Sequence, residues 1–205
     1  MDQTVLSHPE MLPADDPIRA ILDLIAEATR RAIPNPNAMT VSTVGPDGQP
    51  SSRTVLLKGA DERGLVFYTN YTSRKGREIL AHPKVALTFY WRAMEKQAHV
   101  YGQAHPVSDE EADAYFATRP RTSQLGAWAS KQSEPLSSRA ALVAEVAKLE
   151  ATYFGRAIPR PPHWSGFRVV PHEIQLWSDG LFRLHDRFRY RRDATGAWEV
   201  ERLAP

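Results

Sequence analysis

The chain contains no cysteine, so disulfides, thiolate metal sites and thiol nucleophiles are all excluded. It also lacks a long apolar run. The strongest, residues 85–91, is far shorter than the roughly 20 residues of a bilayer-spanning helix. Charge of one sign is missing too: 26 basic against 24 acidic residues leave +2, not the excess of a dedicated nucleic-acid binder. There is no glycine-rich phosphate loop, no Gly-x-Ser-x-Gly elbow and no His-Glu-x-x-His pair. The 7 histidines are scattered without ligand spacing, so no metal site is expected. Residues 1–16 carry neither a basic start nor an apolar stretch and do not read as a signal peptide. A cytoplasmic location is the expectation.

What is present suffices for one sizeable core, since 42% of the 205 residues are apolar. We expect a single domain over 15–205, behind a polar, proline-bearing segment 1–14 that is flexible unless something pins it. Asp15 or Asp16 followed by Pro17 opens a helix with the stripe Ile18, Ile21, Leu22 and Ile25. Residues 38–44 and 51–58 flank the turn Gly45-Pro46-Asp47-Gly48 as a hairpin, and with 65–70 they read as an antiparallel meander. Ser73 caps a helix over 74–82, strands follow at 84–91 and 96–107, and Ser108-Asp109-Glu110-Glu111 is a capping box for a helix to Thr118. A loop over 119–124, a helical turn at Ala127-Trp128 and a long amphipathic helix over 137–154 come next. A proline-rich linker at 158–162 leads to strands at 167–170, 174–177, 181–191 and 198–203. The sum is an α+β chain built on a β-barrel or strongly curved sheet.

As a strand, 181–191 places Arg183, His185, Arg187, Arg189 and Arg191 on one face and Leu184, Asp186, Phe188 and Tyr190 on the other. Such a ladder repels itself unless an anion, a carboxylate or water lies against it. Arginines interleaved with aromatics also suit RNA, against which the near-neutral total charge argues. Arg74 and Lys75 fall in a first helical turn, where the macrodipole disfavours cations. A bound phosphate explains them, and so does a solvated helix start. Arg53 and Lys58 end an apolar run and are a second cation pair or plain surface. Tyr115, Arg119 and Ser123, each four apart, make a phosphate clamp on one reading and an ordinary helix end on another. Gln97 and Gln132-Ser133 are polar among apolar neighbours and suited to the edges of a heterocycle.

Taken in order, these blocks resemble the pyridoxamine (pyridoxine) 5′-phosphate oxidases. The resemblance rests on Arg53-Thr-Val-Leu-Leu-Lys58, Phe67-Tyr-Thr-Asn70, Ser73-Arg-Lys-Gly76, Tyr115-Phe-x-x-Arg119-Pro-x-x-Ser123-Gln-x-Gly-Ala-Trp128, Ser130-Lys-Gln-Ser133, Arg183-Leu-His-Asp-Arg187 and Arg202-Leu-Ala-Pro205. It implies a split β-barrel homodimer with FMN in clefts at the subunit interface, both chains contributing. By the same resemblance, FMN contacts fall on Arg53, Thr54, Val55, Leu56, Leu57, Lys58, Tyr68, Thr69, Arg74, Lys75, Gln97, Gln132, Ser133, Trp177 and Arg187. The substrate phosphate falls on Lys58, Tyr115, Arg119 and Ser123, with Arg183, Leu184 and His185 over the pyridine ring and Arg183 and His185 the catalytic pair. The implied reaction moves a hydride from C4′ of pyridoxamine or pyridoxine 5′-phosphate to the flavin. It gives pyridoxal 5′-phosphate and, with O2 as acceptor, H2O2, with ammonia released from the amine.

Some positions depart from the family pattern. An N-terminal arginine and tyrosine that many members fold over the substrate have no counterpart in 1–16, and Asn35 stands where an acidic residue is common. Lys96 precedes Gln97 in place of arginine, Ser165-Gly166 replaces Gly-Gly, and Gln175-Leu176 replaces Glu-Phe. These touch lid closure and substrate affinity more than flavin binding. A phenazine-pathway flavin oxidase and a non-catalytic flavin-binding split-barrel protein are the alternatives.

Overall fold

The computed structural model describes residues 11–205. Strand β1 (Ala38–Val44) buries Met39, Val41 and Thr43 and leaves the alternate positions half-covered, the period-2 pattern of a strand with one face on a core. Its hairpin partner β2 (Pro50–Leu56) has no buried residue and lies at an edge, in register Met39↔Val55. The strand expected to reach Lys58 stops at Leu56, because the Leu57 N–H donates to the Asn37 carbonyl instead of the ladder.

The remaining strands are β3 (Gly59–Asp61), β4 (Gly64–Asn70), β5 (Lys84–Trp91), β6 (Lys96–Pro106), β7 (Trp164–Ser178), β8 (Asp186–Arg192) and β9 (Trp198–Arg202). The sheet runs β2-β1-β5-β6-β7-β4-β3, with β8 on β7 and β9 on β8, and every pairing is antiparallel. The expected meander over 38–70 therefore does not form. Strand β4 is buried everywhere except Tyr68, so it sits inside against β7, while β1 takes β5 as its second neighbour.

The two short strands expected at 167–170 and 174–177 are one 15-residue strand, β7. Its first half pairs with β4 and its second with β8, while β6 pairs with residues 167–178 along its other edge. A register shift at Tyr101/Gly102 leaves His172 unpaired and bends the pair. Gly102 is required there, because a Cβ would collide with the Val170 carbonyl oxygen. This fork and bend curl the sheet.

The strand expected over 181–191 begins only at Asp186. Leu181–Arg183 is a 3-10 turn in which Phe182 and Arg183 adopt left-handed φ of 57° and 66°, so the alternation that would align Arg183 and His185 with the later arginines is broken. Only Arg187, Arg189 and Arg191 keep the ladder. Two are neutralised by carboxylates, Arg189 by Glu201 and Arg191 by Glu173.

Helix α1 (Pro17–Arg30) starts as expected, with Asp16 Oδ1 accepting from Ile18 N–H and Pro17 at the first position, and it buries Ile18, Ile21 and Ala28. Helices α2 (Arg74–Ala81) and α3 (Asp109–Thr118) are capped by Ser73 and Ser108. Residues 121–129, expected as a loop and a turn, form a full helix α4 (Arg121–Ala129) after Pro120, and Ser138 caps α5 (Arg139–Thr152). The 158–162 stretch is more than a linker: Ile158 is buried and Arg160 pairs with Asp109 and Asp113. Of the 1–14 segment, 1–10 lie outside the described residues. The Met11 N–H donates to Asp186 Oδ2 and the Ala14 N–H to the Tyr190 hydroxyl, so its end is pinned to β8.

The main core lies inside the curled sheet around Phe67, Leu87, Phe89, Val100, Phe167 and Ile174. A second, smaller cluster of Phe116, Leu125, Ile158 and Trp164 fastens α3, α4 and α5 to the sheet, with Tyr68, Tyr115 and Tyr153 against it. The candidate site lies between these two hydrophobic units.

Candidate functional site

A cleft of about 850 Å³ opens between β2, β4, the start of α2, α3–α4 and the 130–133 loop. The backbone explains why its polar groups converge. Strand β4 ends at Asn70, whose carbonyl accepts from the Ser73 hydroxyl, and the same hydroxyl oxygen accepts from Gly76 N–H. The chain thus turns sharply into α2 and delivers Arg74 and Lys75 to the cleft at the helix N-terminus, where the Arg74 N–H donates to Ser133 Oγ across the cleft's lining.

Lys75 is 8% exposed, and its Nζ donates to Thr69 Oγ1 at 3.1 Å and Gln132 Oε1 at 2.9 Å. Among the described residues it has no carboxylate partner. Burial, with the Arg53 charge adding to it, lowers its ammonium to a pKa of about 8. Arg53 and Arg74 have a counter-charge in Glu78. Burial by itself would raise this carboxyl, but bonds from Thr43, Ser51 and Arg74 and the Arg74 charge outweigh that and bring it to about 2.

At the other end, Tyr68, Tyr115 and Trp164 stack, with Tyr68–Tyr115 centroids 4.0 Å and Tyr68–Trp164 centroids 5.3 Å apart. Burial pushes the Tyr68 hydroxyl up to about 12, so it is a neutral donor at any physiological pH. The Arg119 guanidinium lies 4.6 Å from the Trp164 ring centroid, and burial lowers its pKa. Its Nη1 is buried with no hydrogen-bond partner among the described residues. A buried guanidinium nitrogen left unpaired is costly, and an anion in the cleft would satisfy it.

The structure brings most of the sequence-read residues together here. Arg53, Thr54, Val55, Leu56, Lys58, Tyr68, Thr69, Arg74, Lys75, Gln132 and Ser133 line the same cleft as Tyr115, Arg119 and Ser123. The one exception in that stretch of β2 and its exit is Leu57. Its side chain is 5% exposed in the main core, and Asn37 takes both its N–H and its carbonyl, so it does not line the cleft.

Gln97, Trp177 and Arg187 lie elsewhere, around a separate cavity of about 220 Å³ that also includes His99 and Pro205. Arg183, Leu184 and His185 line neither. Arg183 and Leu184 are exposed, and His185 rests on Trp177 with centroids 4.8 Å apart, its Nδ1 3.0 Å from Asp179 Oδ1. Within one chain these six residues therefore lie away from the cleft.

Glu78, Thr43, Ser51 and Trp164 escaped the sequence reading. Glu78 had a signal, the i,i+4 spacing from Arg74. Trp164 had none, because only tertiary packing sets it beneath Arg119.

Residues 25–153 match the family model described as pyridoxamine 5′-phosphate oxidase, and 164–205 match the pyridoxine 5′-phosphate oxidase C-terminal dimerisation region. A pyridoxine/pyridoxamine 5′-phosphate oxidase of Azorhizobium caulinodans is 52% identical over 99% of this chain and 96% of its own length. One of Rubrobacter xylanophilus is 56% identical over 93% of this chain and 87% of its own. Among solved structures, PhzG of Burkholderia lata 383 in complex with tetrahydrophenazine-1-carboxylic acid superposes with a TM-score of 0.88 at 37% identity, covering 94% of each chain. A pyridoxamine 5′-phosphate oxidase-related, FMN-binding protein of Nostoc punctiforme shares the fold at a TM-score of 0.74 and 18% identity, over 93% of this chain and 98% of its own. The curled sheet is therefore that of the FMN-binding split barrels, and the chain belongs to the pyridoxamine 5′-phosphate oxidase family.

Proposed function

We propose that this chain oxidises pyridoxamine or pyridoxine 5′-phosphate to pyridoxal 5′-phosphate, with FMN as cofactor and O2 as acceptor, and that it works as a homodimer. The observation that carries the reading is the buried Nη1 of Arg119, which has no partner among the described residues, in a cleft that also holds Lys75, likewise without a carboxylate among them. Two anion seats in one cleft suit two phosphates, one on the cofactor and one on the substrate. Arg53, Arg74 and Lys75 would hold the first, and Tyr115, Arg119 and Ser123 the second, with Lys58 beside it. When bound, FMN supplies the two-electron acceptor that O2 then reoxidises with release of H2O2. The chain's part is to bind, orient and neutralise.

Gln97, Trp177, Arg183, His185 and Arg187 would reach the cleft from a second copy. All but Gln97 belong to the segment that matches a dimerisation region, and within one chain none of them lines the cleft. The exposed Phe182 and Leu184 flanking Arg183 are apolar surface suited to that interface. Arg183 and His185 would then close over the substrate ring.

Purified protein should be yellow, and its flavin should bleach anaerobically on addition of pyridoxamine or pyridoxine 5′-phosphate. Flavin that binds but stays oxidised with both would reject the reading. The likeness to PhzG favours a second reading, a carboxylate-bearing tricyclic substrate. Bleaching by such a dihydroarene, and not by either phosphate ester, would select it.

A further inference from the structure

We propose that Glu78 is a positioning residue for the phosphate seat: a buried carboxylate that arrays Arg53 and Arg74 before the anion arrives and matches the seat's charge to a phosphate monoester. The proposal rests on the flavin reading above for its choice of probe.

Glu78 is 5% exposed on α2, outside the cleft's own lining but paired with two residues of it, Arg53 and Arg74. Its Oε2 accepts from the Thr43 hydroxyl and from Ser51 Oγ at 2.7 Å, and lies 3.4 Å from Arg53 Nη2. Its Oε1 accepts from Arg74 Nε at 2.8 Å. The carboxylate therefore has both oxygens engaged and joins three elements, β1, β2 and α2. Arg53 is held on the same network, with Nη1 donating to Thr43 Oγ1 and Nη2 to Ser51 Oγ at 2.6 Å. Arg74 spends only Nε on Glu78, and among the described residues neither of its Nη atoms donates within the chain.

Stability alone is a weak reason for this arrangement. A buried ion pair loses about as much in desolvation as it gains in attraction, and apolar residues of similar volume commonly serve as well. The gain lies in preorganisation. Two long, rotamer-rich cations that would repel each other are held on one carboxylate, so an anion in the cleft has less to order. Charge is matched at the same time: Arg53, Arg74 and Lys75 less Glu78 leave two positive charges. A phosphate monoester carries about −1.5 to −2 at pH 7.

The test compares FMN with riboflavin, which has the same ring and no phosphate, on the full chain freed of flavin. Dissociation constants come from flavin fluorescence. Glu78→Gln should weaken FMN by about tenfold, the loss of roughly one charge-assisted contact, and leave riboflavin unchanged. Glu78→Asp keeps the charge but cannot span both arginines, so it too should weaken FMN selectively. It also serves as the test should Glu78→Gln fail to fold. Equal FMN affinity in both variants, tighter FMN binding, or an equal loss for FMN and riboflavin would overturn the proposal and leave the flavin reading intact. A wild-type chain that binds neither flavin would overturn both.

Discussion

Arg119 is a cation that nothing among the described residues uses fully. Its guanidinium lies over Trp164 and its Nη1 has no hydrogen-bond partner there, so on the proposed reading a substrate phosphate would gain a desolvated donor. Arg119→Ala should raise KM for the phosphate ester by about tenfold to a hundredfold, the equivalent of roughly 1.5–3 kcal/mol, and leave FMN affinity unchanged. Steady-state kinetics beside a flavin titration would check it, and an unchanged KM would remove the clamp. Lys75 predicts a pH dependence. In the free cleft its pKa is lowered to about 8 from 10.5, so it loses its charge above pH 8 while the same residue in an unfolded chain stays charged to 10.5. A phosphate prefers the ammonium and draws the pKa back up. FMN affinity should therefore be full between about pH 6.5 and 8, where the phosphate is largely a dianion, and fall by up to about tenfold per pH unit above pH 8, with riboflavin affinity flat. Parallel falls for both flavins would show that Lys75 does not meet the phosphate.

Among the elements, α2 matters most for the site, because its first turn brings Arg74 and Lys75 to the cleft. Ser73 is fully buried, accepts from Gly76 N–H at 3.2 Å and donates to the Asn70 carbonyl at 2.6 Å. Ser73→Ala should cost about 1–2 kcal/mol of stability and weaken FMN as well, since the cap sets the entry of Arg74 and Lys75. Thermal unfolding and FMN titration on one sample would separate the two, and a stability loss with full FMN affinity would confine Ser73 to a structural role. This helix was legible in the sequence because Ser73 and the apolar Ile79 stand at cap and core positions. The 181–185 turn was not. An alternating run of arginines and apolar residues satisfies strand periodicity, and the left-handed φ of Phe182 and Arg183 leaves no mark in residue type, neither being glycine or asparagine.

On the scale of the whole molecule, the separation of Arg187 from the cleft makes a prediction of its own. In a homodimer with shared sites, Arg119→Ala spoils the cleft half and Arg187→Ala the other, so each homodimer is impaired at both sites. Co-expressed chains should form mixed dimers with one site in which both halves are native, and regain a sizeable part of wild-type activity. No recovery on co-expression, with mixed dimers isolated by two tags, would mean that each chain completes its own site.

The sequence by itself determined the local chemistry and the family: the cap-plus-cation start of α2, the 115/119/123 spacing, and the ordered blocks from 53 to 205. These are short-range patterns, and propensity, capping and helical spacing carry them. The placing of β4 between β3 and β7, and not beside β2, is tertiary, since the burial of a strand depends on what the rest of the sheet offers it. Tertiary packing also sets Trp164 under Arg119 and brings Glu78, whose pairing with Arg74 is a local helical one, to Arg53. Contacts between residues 25 and more positions apart are fixed by the curl of the sheet, which no local pattern encodes.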